Sequence, residues 1–236
     1  MTNDRRRFLT AAATLGVAAI PLTPCILLAD DKPKEKSKDQ PDDEVGATED
    51  LMREHGVLNR VLLIFEEGLR RIHAKADVSP DMFHKPATLI RKFVEDYHEK
   101  LEENFIFPEF EKAHKLVDLV KVLRDQHQAG RRVTDIILRN ADSGAFRKED
   151  ARSELTRACE AFIRMYRPHE AREDTVLFPA LHKIISAKRL AELGEQFEKE
   201  EDRLFGDEGF EKTVDQVAEI EKQLGIYNLS EFTPKI

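Results

Sequence analysis

Histidine and glutamate recur in this sequence at a spacing that can hold a metal ion. His98 and Glu102 stand four residues apart, as do His169 and Glu173. On an α-helix such a pair lies about 6 Å apart along the axis and on nearly one face, so imidazole and carboxylate point the same way. The two pairs sit in matching surroundings. Tyr97-His98-Glu99-Lys100-Leu101-Glu102-Glu103-Asn104-Phe105-Ile106-Phe107-Pro108 lies over Pro168-His169-Glu170-Ala171-Arg172-Glu173-Asp174-Thr175-Val176-Leu177-Phe178-Pro179, at an offset of 71 residues. A looser match sets residues 51–61 over 123–133 at an offset of 72, placing His55 on His127 and Arg60 on Arg132. A single His-x-x-x-Glu is ordinarily a surface pair worth a few tenths of a kcal/mol. A single histidine on an apolar stripe is ordinarily a satisfied core residue. Doubling the pattern, with histidine on histidine at nearly one spacing, favours metal binding over both readings.

Helices must carry these groups. Ten glycines and ten prolines in 236 residues leave few breaks. A first helix is expected from Thr48, as N-cap, to Lys75, with Leu51, Leu58, Leu62 and Phe65 along one stripe. A second is expected over 86–110, with Ile90, Phe93, Tyr97, Leu101 and Phe105 at helical spacing. A third is expected over 116–140 and a fourth over 148–185. Short connections make neighbouring helices antiparallel, so the predicted fold is all-α: an up-down-up-down four-helix bundle over residues 48–186. Residues 187–236 read as a C-terminal extension with one or two further helices around Gly206, whose place against the bundle the sequence leaves open.

The apolar stripes turn the ligand-type side chains inward. His98 and Glu102 share a face with Phe105, and His55 shares one with Leu58 and Leu62. An unpaired buried carboxylate costs several kcal/mol, and a bound cation removes that cost. His73, His84, His114 and His182 do not superpose under either offset and read as solvent-facing or cap residues.

In combination, a histidine on the first and third helices and His-x-x-x-Glu followed by Phe-Pro on the second and fourth resembles the hemerythrin-like, or HHE cation-binding, domain. The resemblance covers residues 48–182. It implies a non-haem pair of iron ions, oxo- or hydroxo-bridged, held by His55, His98, Glu102, His127, His169 and Glu173, with both glutamates bridging. Imidazole with carboxylate suits iron without excluding manganese or zinc. Two six-coordinate ions need about twelve positions, and this set with its bridge leaves roughly two for a small diatomic such as dioxygen or nitric oxide. Oxygen-carrying hemerythrins have a second histidine one turn after that of the third helix. Here Arg131 stands there, which argues against plain oxygen carriage and leaves a more open iron or brings in another group. Glu99 and Glu170 are at hand for that role, although solvated faces are the favoured reading for both. Pro168, just before His169, is expected to kink the fourth helix.

The rest of the chain bounds the function. A net charge of −8 argues against nucleic acid and against anionic lipid surfaces. Arg5-Arg6-Arg7-Phe8-Leu9, followed by an apolar run to Ala29, resembles a twin-arginine export signal over residues 1–29. Such a signal implies a periplasmic destination, with membrane contact only if it stays uncleaved. Residues 30–44 hold no apolar side chain, so 30–47 reads as a disordered tether. Cys159 would then stand alone and reads as a small core residue. Three functions remain: a periplasmic di-iron protein binding dioxygen or a related diatomic for sensing, scavenging or delivery; a di-iron enzyme activating oxygen or peroxide; and an iron-storage or structural metal protein.

Overall fold

A computed structural model describes residues 45–234. The expected export signal and most of the expected tether lie outside the described residues. Within them the chain is helical, with no strand. Helix α1 is Ala47–His73, α2 spans 81–113, α3 is Val117–Asn140, α4 spans 149–184, α5 is Ala187–Phe205 and α6 is Gly209–Leu224. A 3-10 turn, Leu229–Phe232, follows.

Local chemistry sets these limits. Extended Gly46, rather than Thr48, precedes α1, and Thr48 lies inside the helix with its hydroxyl 2.9 Å from His182 Nε2. Glu49 and Asp50 in the first turn, with Arg70, Arg71 and His73 in the last, complement the helix dipole. The α2–α3 reversal is only three residues long, and His114 and Leu116 both take the left-handed conformation to make it (φ 52° and 49°). After α3, the Asp142 carboxylate accepts the backbone N–H groups of Gly144 and Ala145 at 2.9 and 3.2 Å, an Asx-type turn. Ser186 Oγ accepts the Arg189 N–H at 3.1 Å and caps α5. Gly225, at φ 72°, closes α6 while the Ile226 N–H reaches the Glu221 carbonyl at 3.0 Å.

Cross-helix pairs show the antiparallel order. Gly68 near the end of α1 meets Phe83 near the start of α2 so closely that an added Cβ would lie 2.6 Å from the ring. Arg91 bonds Asp135 at 2.5 Å and Arg124 bonds Glu111 at 3.1 Å, which runs α3 against α2. Asn140 bonds Glu154 at 2.9 Å, and His127 lies beside His169, which runs α4 against α3. Phe65 packs edge-on against Phe162 at 6.0 Å, bringing α4 back to α1. The up-down-up-down bundle is thus closed.

The two C-terminal helices cover the outer side of α1 and α2. Phe205 meets Phe93 at 5.8 Å and Tyr97 at 5.4 Å, and Phe210 meets Phe93 at 6.3 Å. Arg60 forks onto Glu221 at 2.9 and 2.6 Å, and Arg71 donates to the Leu224 carbonyl at 2.7 Å. No helix of the described residues is long and apolar enough to cross a membrane.

Candidate metal centre

The helices that carry the two His-x-x-x-Glu motifs are not α-helical throughout. Wider π turns occupy Ile90–His98 and Glu102–Ile106 in α2, and Glu173–Leu177 in α4. The last two are repeat equivalents, each starting on the motif glutamate and ending just before Phe-Pro. In both, the phenylalanine N–H skips back five residues: Phe107 to the Glu102 carbonyl, Phe178 to the Glu173 carbonyl. Pro108 and Pro179 have no N–H to give the carbonyl four residues earlier, so a widened turn there sacrifices little. Periodicity alone did not reveal these turns, and they shift the register. Phe105, expected on the ligand face, is only half-buried and meets Phe197 of α5 at 6.1 Å. Phe107 turns inward and stacks on His127 at 5.5 Å, and Phe178 stacks on His55 at 5.7 Å. No break accompanies Pro168: α-helix continues through it to Arg172.

All six expected groups meet in the middle of the bundle, each no more than 4 % exposed. Glu102 Oε2 lies 3.6 Å from His98 Nε2 and 3.4 Å from His127 Nε2. Glu173 Oε2 lies 3.2 Å from His169 Nε2 and 3.4 Å from His55 Nε2. Each glutamate therefore serves one histidine of its own half and one of the other. The rings pair as His55 with His98 (centroids 4.7 Å apart) and His127 with His169 (4.9 Å). Two donor groups result: His55, His98 and Glu102 on one side, and Glu102, His127, His169 and Glu173 on the other, with ligand atoms within 4.8 Å in each group.

Both carboxylate oxygens of Glu102 and both of Glu173 are buried and accept no hydrogen bond. A buried carboxylate left like this is costly unless a cation completes it. Burial and the neighbouring Glu173 push the Glu102 carboxyl well above the usual range. Burial likewise pushes His98 and His127 below the usual imidazole range, favouring the neutral form that can ligate. His55 is pushed up instead: burial opposes its charge, but its bond to Asp174 and the nearby Glu173 carboxylate outweigh that. The donor set fits a pair of cations.

Every imidazole turns its Nε2 inward and ties its Nδ1 outside. The partners are Asp174 for His55 (2.7 Å), Glu54 for His98 (2.6 Å), Glu103 for His127 (3.2 Å) and Gln126 for His169 (2.9 Å). Such bonds fix ring orientation and tautomer. The sequence reading passed over these four, although the repeat marks them: Glu103 and Asp174 both follow the motif glutamate, and Glu54 and Gln126 both precede a helix histidine. It also passed over Glu201 of α5, a fully buried carboxylate that accepts the Phe210 N–H at 2.7 Å and the Tyr97 hydroxyl at 3.3 Å. Glu201 lies against Glu54 and Asp50, with oxygens within 4.8 Å.

Glu99 and Glu170 correct the expectation of solvated faces. They are 1 % and 2 % exposed, and burial pushes both carboxyls up to about 8. The Tyr166 hydroxyl donates to Glu99 at 2.6 Å, and Arg131 lies 2.7 Å from its other oxygen. Asn59 donates to Glu170. His73, His84, His114 and His182 are all exposed, and His114 makes the turn after α2. Cys159 is buried, and burial pushes its thiol up, as suits a core residue.

Imidazoles and carboxylates closing on one point inside a four-helix bundle define a helical protein with a cation-binding centre. The family model for the hemerythrin HHE cation-binding domain matches residues 46–181, and again 118–232, and the chain belongs to that family. Uncharacterized proteins of Mycobacterium tuberculosis and Mycobacterium bovis are each 47% identical to it over 231 residues, covering 97% of this chain and 91% of theirs. No solved structure matches the chain.

Proposed function

We propose that the chain is an exported, periplasmic non-haem di-iron protein that binds dioxygen or a related diatomic such as nitric oxide. The observation that carries this reading is the four orphaned oxygens of Glu102 and Glu173, set among four inward-facing imidazole nitrogens. His55, His98, His127 and His169 would hold the two ions, and Glu102 and Glu173 would bridge them. A bound iron pair would supply open coordination positions for such a small molecule.

The chain's own residues prepare that chemistry. Nδ1 bonds hold each ring with its inner nitrogen toward the centre, and Phe107 and Phe178 seal His127 and His55 from water. Export rests on the arginine pair and apolar run before residue 30, and a twin-arginine route is understood to carry folded proteins, which suits metal loaded before transport.

The test is to recover the protein from the periplasmic fraction, reduce it and mix it with oxygen. A stable charge-transfer band that disappears on deoxygenation supports the reading. Steady consumption of peroxide would replace it with an activating enzyme, an unchanged spectrum would contradict ligand binding, and retention in the cytosol would contradict export.

A further inference from the structure

Under the offsets of 71 and 72, the hydrogen-bonding partners around the centre superpose as well as the ligands do. Glu54, partner of His98, falls on Gln126, partner of His169. Asp174, partner of His55, falls on Glu103, partner of His127. Asn59, which holds Glu170, falls on Arg131, which holds Glu99. The two halves place the same groups in the same roles.

They do not place the same charge. Where the His55/His98 side has Glu54, the other has the neutral amide of Gln126. Where the first has Asn59, the second has Arg131; where the first has Ala171, the second has Lys100. Arg131 and Lys100 each add one positive charge to the surroundings of His127 and His169, and Gln126 puts an amide where Glu54, whose carboxyl is pushed up by burial and by Asp50 and Glu201, offers an acid. Both cations act on the outer ring there, since Glu103 receives Arg131 at 2.7 Å and Lys100 at 2.6 Å as well as His127. Among the described residues no lysine or arginine bridges Glu54, Asp174 or Glu170.

We infer that the two cation positions are unequal: the one at His55 and His98 fills first and holds tightly, while the one at His127 and His169 fills second and exchanges. An imidazole whose Nδ1 is backed by an acid that no cation shares is a more basic ligand than one backed by an amide or by a carboxylate already shared with two cations. A dication also sits less favourably as positive charge is added to its surroundings in a low-dielectric interior. Gln126 and Glu54 are positioning residues here, acting through His169 and His98. The inference rests on the two-ion reading above and goes beyond it.

The mirrored substitutions Gln126→Glu and Glu54→Gln, each the repeat's own alternative, test it. The metal-free full chain is titrated with Co2+ in competition with a chelator, following the d–d bands and the number of ions bound. Outer-ring partners typically change metal affinity by 10–100-fold, so two steps should appear, separated by about 10–100-fold or more. Gln126→Glu should tighten the second step by about 10–100-fold and leave the first in place, whereas Glu54→Gln should weaken the first by a similar factor. Two equal steps in the unmodified chain, or a separation that neither variant moves, would overturn the inference while leaving two-ion binding intact. Binding of no ion, or of a single ion at saturation, would instead remove the two-ion reading beneath it.

Discussion

The two halves of the bundle, α1–α2 and α3–α4, carry the same ligands on the same kind of helix and differ in almost everything behind them. Behind α1 and α2 lie α5 and α6, which bury Phe93, Tyr97 and Phe197 and bring Glu201 against Glu54. Behind α3 the surface is open: Val122 is half exposed, and Lys100 and Arg131 line the edge of the site from the α2–α3 side. On the two-ion reading a duplicated centre needs equivalent ligands, because both ions would share the same two glutamates. Nothing requires equivalent backing. Cover and charge are therefore where the halves have room to part.

Substitutions that act on one half only would sharpen the contrast. The largest effect is expected at Phe197, which is fully buried where α5 meets the first half. Phe197→Ala should destabilise the fold by about 3–5 kcal/mol, whereas Val122→Ala on the open side should stay within about 0.5 kcal/mol. Denaturant melts of the two variants check this, and equal losses would mean that the cover matters no more than bare surface. A smaller effect belongs to the second half's own packing. The Tyr166 hydroxyl fills the space beside Gly130 where any larger residue would put its Cβ. Gly130→Ala should displace Tyr166 from Glu99 at a cost of about 1–3 kcal/mol, read by melts and by the accessibility of the tyrosine; an unshifted midpoint would show that the close approach is dispensable.

How much of this the sequence disclosed follows from the repeat. His55, His98, His127 and His169 stood out because each is matched by another at the same offset, and the apolar stripes around them carried the antiparallel bundle. Glu54, Glu103, Gln126 and Asp174 had the same signal but no motif of their own, and a helical acid is commonly a solvated one. Glu99 and Glu170 were read as solvated for that reason. Their partners are Tyr166 and Asn59, 67 and 111 residues away in the chain, which spacing within one helix cannot show. The π turns escaped because a template of 3.6 residues assumes an unbroken ladder, yet Phe107-Pro108 and Phe178-Pro179 are where that ladder is easiest to widen. The C-terminal helices were visible as helices, but their place depends on Phe205 and Phe210 finding Phe93, a tertiary fact.

Elemental analysis of the purified chain beside its His98→Ala variant tests the central claim most directly. Two iron ions per chain are expected in the unmodified protein and at most one in the variant. Two ions retained after His98→Ala, or none in the unmodified protein, would contradict the assignment of this buried cluster as a two-metal centre.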